Sequence, residues 1–207
     1  MVVKKVENNF SEKINAQLSS AMDELTRQQL NFVPWPAYPY KPKVDFAIAY
    51  SPDSVFLKYF VDEKNIRSVN SIINSSVWED SCVEFFISFD DEGYYNFEFN
   101  CIGTALVGFG KEKTNRDLLD VELIKEIKFH PGLTKTETGF HWELTVVIPL
   151  QIFIYHQPLL LQGKKVKANF YKCGDLLPEP HFISWANIES TEPNFHLPEF
   201  FGTLIFE

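Results

Sequence analysis

Cysteine is scarce in this chain of 207 residues: Cys82, Cys101 and Cys173 are odd in number and widely spaced. That excludes a closed disulfide framework and any CxxC metal motif, and free buried thiols are the reading for Cys82 and Cys101, which fall in strand-like text. Positive charge is also short, with 19 Lys and Arg against 28 Asp and Glu and a net charge of −9. A nucleic-acid or anionic-membrane partner needs a basic footprint, so neither is expected. Glycine numbers nine and methionine two, and no glycine-rich phosphate loop or G-x-S-x-G elbow is present. No apolar run approaches the roughly 18 residues that span a bilayer, so no membrane insertion is expected. Lys4 and Lys5 lead into no apolar stretch of the kind a signal peptide carries. The expectation is a cytoplasmic protein, or an exported one whose leader has been removed.

Aromatic residues are plentiful: 20 Phe, 8 Tyr and 4 Trp. Such residues suit a pleated, half-buried surface and point to sheet. Only Ser11 to Leu30 carries a helical stripe, through Ile14, Leu18, Met22 and Leu25. Pro34, Pro36, Pro39 and Pro42 then enforce an extended segment. From Val44 onward, alternating segments follow one another with turn signals between them. "VDFAIAY" and "VFLKYFV" read as one hairpin, "SCVEFFISF" and "YYNFEFNCIG" as another. "LLDVELIKEIKFH" (ending at "PG"), "GFHWELTVVIPL", "KKVKANFYKC", "HFISWANI" and "FFGTLIFE" complete eight or nine strands. The expected fold is all-β, an antiparallel β-sandwich of jelly-roll or immunoglobulin-like type. Residues 1–43 read as a helical and proline-rich lead-in and residues 44–207 as the sandwich.

Side chains alternate across a strand, which divides these segments into two faces. Val83, Phe85, Ile87 and Phe89 form one set, opposed to Cys82, Glu84, Phe86 and Ser88. Tyr95, Phe97, Phe99 and Cys101 are apolar, whereas Asn96, Glu98 and Asn100 share the other face. Val166, Ala168 and Phe170 go inward, while Lys167, Asn169 and Tyr171 go the other way. The outer face therefore gathers carboxylates and amides beside aromatic rings, the equipment that a polyhydroxylated ligand needs. Trp142 shares its parity with Leu144, Val146 and Ile148 and reads as core, and Trp35 as an edge cover or plug.

The strings "VWEDSCVEFFISF", "YYNFEFNCIGT", "FHWELTVVIPL", "ANFYKC", "ISW" and "PNFHLPEFFGTLIFE" resemble the family 9 carbohydrate-binding modules, in particular their stand-alone branch. The likeness runs from about Phe46 to Glu207. It implies a β-sandwich that clamps a mono- or short oligosaccharide between two tryptophans, with polar side chains gripping the hydroxyls. On that resemblance Trp78 is the first clamp tryptophan, Trp185 the second, Glu84 the acidic hydroxyl acceptor and Asn100 the amide. Glu98 stands where the family's sugar binders carry an arginine, so a five-donor cation is replaced by an acceptor. Asn169 and Lys172 complete the candidate set, Lys172 as the nearest cation. The resemblance also allows structural calcium, for which Asp90, Asp91 and Glu92 in "SFDDEG" offer oxygens; an acidic β-turn is the plainer reading. Cys173, His181 and His196 have ligand chemistry but no zinc spacing, so no metal site is expected. Two other readings stay open: a glycoside hydrolase-like enzyme using Glu84 and Glu98, and a protein-interaction sandwich without sugar binding.

Overall fold

The computed structural model describes residues 1–6 and 16–207. Its first strands are β1 (Val2–Lys5), β2 (Gln28–Gln29), β3 (Lys43–Tyr50), β4 (Ser54–Glu63), β5 (Cys82–Asp90), β6 (Gly93–Asn100) and β7 (Ala105–Gly110). There follow β8 (Asp117–Leu118), β9 (Lys128–Lys135), β10 (Phe140–Pro149), β11 (Lys165–Cys173), β12 (Phe182–Ser184) and β13 (Gly202–Phe206). Two short helices accompany them, α1 (Ala16–Asp23) and α2 (Val121–Ile124). One layer runs β8-β7-β6-β5-β11-β13 and the other β3-β4-β10-β9. β1 lies parallel to both β13 and β3 and joins the layers into one curled sheet. The result is the expected β-sandwich.

The alternation read in the sequence builds the interior. Val83, Phe85 and Ile87 of β5, Tyr95, Phe97 and Phe99 of β6, and Val166, Ala168 and Phe170 of β11 meet the apolar sets of β3, β4 and β10. Phe46 stacks on Phe170 across the layers with ring centroids 3.9 Å apart. Trp142 is fully buried. Burying such aromatic side chains contributes roughly 1.5–3 kcal/mol each, the main force holding the layers together.

Three expectations are corrected. Of the helical stripe expected from Ser11 to Leu30, residues 11–15, Ile14 among them, lie outside the described residues; within the described part the helix runs over Ala16–Asp23 and does not continue to Leu30. Leu18 and Met22 are buried under α1 on the outer face of β3 and β4, and Leu25 packs beside them. Gln28 and Gln29 instead pair with Phe46 and Asp45, because an open strand edge offers backbone partners that outweigh helix propensity. "LLDVELIKEIKFH" is not one strand: Asp120 caps α2 by accepting a hydrogen bond from Glu122 N, and β9 begins only at Lys128. Pro131 and Gly132 do not turn the chain but lie within β9, which among the described residues pairs only with β10 and so tolerates a proline at the sheet edge. The lead-in is woven into the sandwich. Besides β1, Leu30 N donates to Val44 O, and Trp35 is buried against Phe182 and Phe195.

Candidate functional site

Glu84 projects from β5 on the face away from the core, directly opposite Glu98 of β6 and Tyr171 of β11. That face is not left to solvent. Trp35, Ile188, Phe195 and Phe201 lie over Phe86, Tyr94 and Tyr171 and form a second apolar cluster. Tyr171 and Phe195 stack with centroids 4.2 Å apart, and Tyr171 Oη donates to Phe195 O. Beside this cover a cavity of about 400 Å³ remains, within the usual range for small-molecule sites. Glu84 and Glu98 line it, with Asp175, Lys113 and Arg116 supplying further charge and Trp78, Phe182 and Phe195 the aromatic surface.

Trp78 sits in a 3-10 turn, Val77–Glu79, just before β5, and its side chain is 37% exposed. Backbone bonds from Asp175 N to Trp78 O and from Leu176 N to Glu79 O tie this turn to the loop after β11. Asp80, next in the motif, is wholly buried and accepts from Val69 N, Asn70 N and Asn100 Nδ2. The acidic run thus divides its labour: Asp80 holds the preceding loop, and Glu84 faces the cavity.

The carboxylate pair has few partners. Glu84 Oε1 accepts a 3.1 Å hydrogen bond from Cys173 Sγ. Glu98 Oε1 accepts from Asn96 Nδ2 at 2.9 Å, and Asn96 Oδ1 in turn accepts from Arg116 Nε at 2.8 Å. Glu98 Oε2 is buried without a partner among the described residues. Burial raises the pKa of Glu84 well above the carboxylate range, and the facing Glu98 adds to it. Burial raises Glu98 too, against relief from Asn96 and Arg116. Like charges this close do not both ionise readily, so the pair favours holding a proton. Burial also lifts Asp175 to about 6. His196 donates to or accepts from Tyr94 Oη at 2.9 Å; burial, with Arg116 nearby, lowers its pKa to about 3 and keeps it neutral.

The structure brings Trp78, Glu84 and Glu98 together. It places the other four sequence candidates elsewhere. Trp185 packs inward, its ring edge-on to Phe46 and Phe170, and Gly202 leaves room for it. Asn100 is fully buried and spends its amide on Asn70 O, Asp80 Oδ2 and Thr104 N. Asn169 clasps the backbone of Ala186 through both amide atoms. Lys172 points to the core face, where its Nζ lies 3.0 Å from Glu63 Oε2 and both side chains are fully buried.

Arg116 escaped the sequence reading. It lies between β7 and β8, stacks 4.2 Å over the Tyr94 ring and donates to Tyr94 O. A cation therefore reaches the cavity from a loop, although β6 carries Glu98 where an arginine was expected. Its signal was the glycine spacing in "VGFGKEKTNRD": a Cβ at Gly108 would come within 2.9 Å of Asn96 Oδ1, where Arg116 docks. The acidic turn at Asp90 is engaged differently from a cation cage. Asp90 Oδ1 accepts from Glu92 N, and Oδ2 lies 3.1 Å from His156 Nε2. Its two oxygens are engaged by separate partners.

The family model described as carbohydrate-binding family 9 matches residues 15–206 of the chain. A solved structure of a candidate carbohydrate-binding protein from Bacteroides uniformis is 42% identical, with a TM-score of 0.93 over 100% of this chain and 98% of that one. A family 9 module from Caldicellulosiruptor kristjanssonii in complex with glucose has a TM-score of 0.64 at 12% identity, covering 100% of this chain and 95% of that one. The same holds for one in complex with cellotriose, with 93% of that chain covered. At that identity the likeness is one of fold. Among curated proteins none matches.

Proposed function

Since the chain belongs to carbohydrate-binding family 9, we propose that it binds a mono- or short oligosaccharide, without catalysis, in the cavity between Trp78 and the Glu84–Glu98 pair. The observation that carries this is the buried Glu98 Oε2, without a partner among the described residues, on a side chain that lines a cavity with an exposed indole at its wall. A sugar ring lays its C–H face on the indole and donates its hydroxyls to Glu84 and Glu98. An unpaired buried acceptor costs about 1–3 kcal/mol, which a hydroxyl donor recovers. Lys113, Asp175 and Arg116 supply further polar lining. Phe182 and Phe195 stand in for the second aromatic wall, since Trp185 faces the core. One or two rings held in this way give an affinity of roughly micromolar to millimolar.

The arrangement of the carboxylates supports binding rather than hydrolysis. Glycosidases place their two carboxyl groups on either side of the scissile bond. Glu84 and Glu98 stand side by side on one sheet face and approach a ligand from the same direction. The acidic turn at Asp90–Glu92 is read as a turn only.

Calorimetric titration with glucose, cellotriose and a panel of other sugars, intact and with reduced ends, tests the reading. Saturable heat that disappears in Trp78→Ala and weakens in Glu98→Gln is expected. A folded protein that gives no heat across the panel, or full binding by Trp78→Ala, would overturn it.

A further inference from the structure

Cys82 opens β5 and Cys173 closes β11, and the two stand directly opposite each other in the antiparallel ladder. Glu84 is two residues along β5 on the same face. The two Sγ atoms and a Glu84 carboxylate oxygen all lie within 4.8 Å of one another, and all three residues are buried. Tetrahedral zinc, with Zn–S near 2.3 Å and Zn–O near 2.0–2.2 Å, needs ligand atoms roughly 3.3–3.8 Å apart. The 4.8 Å limit is wider than that, so metal uptake must draw the three ligand atoms together.

Cys82 and Cys173 also pack in the outer apolar cluster, with Cys82 Sγ 3.7 Å from Val83 O and Cys173 Sγ 3.6 Å from Trp78 O. Lys172 is adjacent in sequence but points through the sheet to Glu63. Cys173 gives the Glu84 carboxylate only a weak S–H donor. The carboxylate beside the cluster is the one the sugar reading also uses. Glu98 Oε2, across the ladder from Glu84 and lining the same cavity, has no partner among the described residues. Cys173 and Glu84 both reach the cavity wall, which leaves a coordination position open on that side.

We propose that Cys82, Cys173 and Glu84 form a zinc-binding site in the cavity floor, with the fourth position open to water or to a ligand hydroxyl. Two sulfurs and one oxygen select zinc over calcium or magnesium, which take oxygen donors. Binding forms two Zn–S bonds and one Zn–O bond and releases both thiol protons, while the proton of the Glu84–Glu98 pair stays on Glu98, with no change of oxidation state. The site shares Glu84 with the sugar reading but does not rest on it.

The test uses the full chain, kept reduced, without sugar. Cobalt(II) serves as the spectroscopic probe, and zinc is titrated against a chromophoric chelator. The expected result is a thiolate-to-cobalt charge-transfer band saturating at one metal per chain and bleached by zinc, with proton release on zinc uptake. Cys82→Ser and Cys173→Ser should each abolish the band and weaken zinc binding by more than the roughly 10–100-fold typical of losing an outer-shell partner. A folded wild-type protein that shows no such band overturns the proposal, whether or not the variants fold. Zinc uptake that survives both serine variants overturns it as well. Such uptake would belong to surface groups such as the His141, Asp62 and Glu143 cluster, which His141→Ala would confirm.

Discussion

Replacing Lys172 by methionine separates a role in the core from one in sugar binding. Lys172 and Glu63 are both fully buried, with Nζ and Oε2 3.0 Å apart. Nζ also lies 2.8 Å from both Cys173 O and His181 Nε2. Glu63 Oε1 accepts a 2.6 Å hydrogen bond from Trp142 Nε1. Lys172→Met keeps most of the volume and removes only the cation, leaving Glu63 buried without its counter-charge. Breaking a buried pair from one side costs about 3–5 kcal/mol. For a domain of this size that lowers Tm by roughly 6–20 °C, at about 2–4 °C per kcal/mol. The double variant Glu63→Gln with Lys172→Met removes both charges and should recover a large part of that loss. Urea denaturation of wild type, both single variants and the double variant measures the cycle. Because Lys172 faces the core, sugar affinity per folded molecule should stay within about twofold of wild type, a change of less than ~0.5 kcal/mol. A Lys172→Met protein as stable as wild type would refute the energetic argument. A stable one that no longer binds sugar would restore Lys172 to the site.

Glu98→Gln should flatten the dependence of stability on pH. Burial raises the Glu98 pKa from an ordinary 4.5 to about 7, so between those values the folded state holds a proton that the unfolded chain has lost. Wild-type stability therefore falls as pH rises through that window, the Glu98 share being up to roughly 3 kcal/mol, and the glutamine variant shows a smaller fall in urea midpoints, the remainder coming from Glu84. Trp78→Ala should leave the fold within ~1 kcal/mol of wild type, because the side chain is part-exposed, while weakening sugar binding at least ~10-fold by calorimetry. Gly108→Ala drives a methyl group towards Asn96 Oδ1 and displaces the Arg116 contact. A stability loss of about 1–3 kcal/mol, seen in urea midpoints, is expected with weaker sugar binding.

Strand parity by itself makes much of this protein legible. The core sets of β5, β6 and β11 follow from the two-residue period, and so does the meeting of Glu84 with Glu98 on the opposite face. The same parity assigns Lys172 to the side of Phe170 and Ala168, against its expected place in the sugar site. These assignments hold because alternation is a property of covalent geometry and needs no distant partner. What the outer face would meet could not be read in this way. Glu84 and Glu98 are buried because Trp35 and Phe195, distant in sequence, close over neighbouring rings. Arg116 reaches Asn96 only because the β6–β7 pairing puts Gly108 beside it. Trp185 turns inward because Phe46, Phe170 and Gly202 from three separate strands leave a berth for its ring. Local periodicity determined which residues share a face; non-local packing decided which of those faces became a cavity, because burial depends on what the rest of the chain brings to cover them.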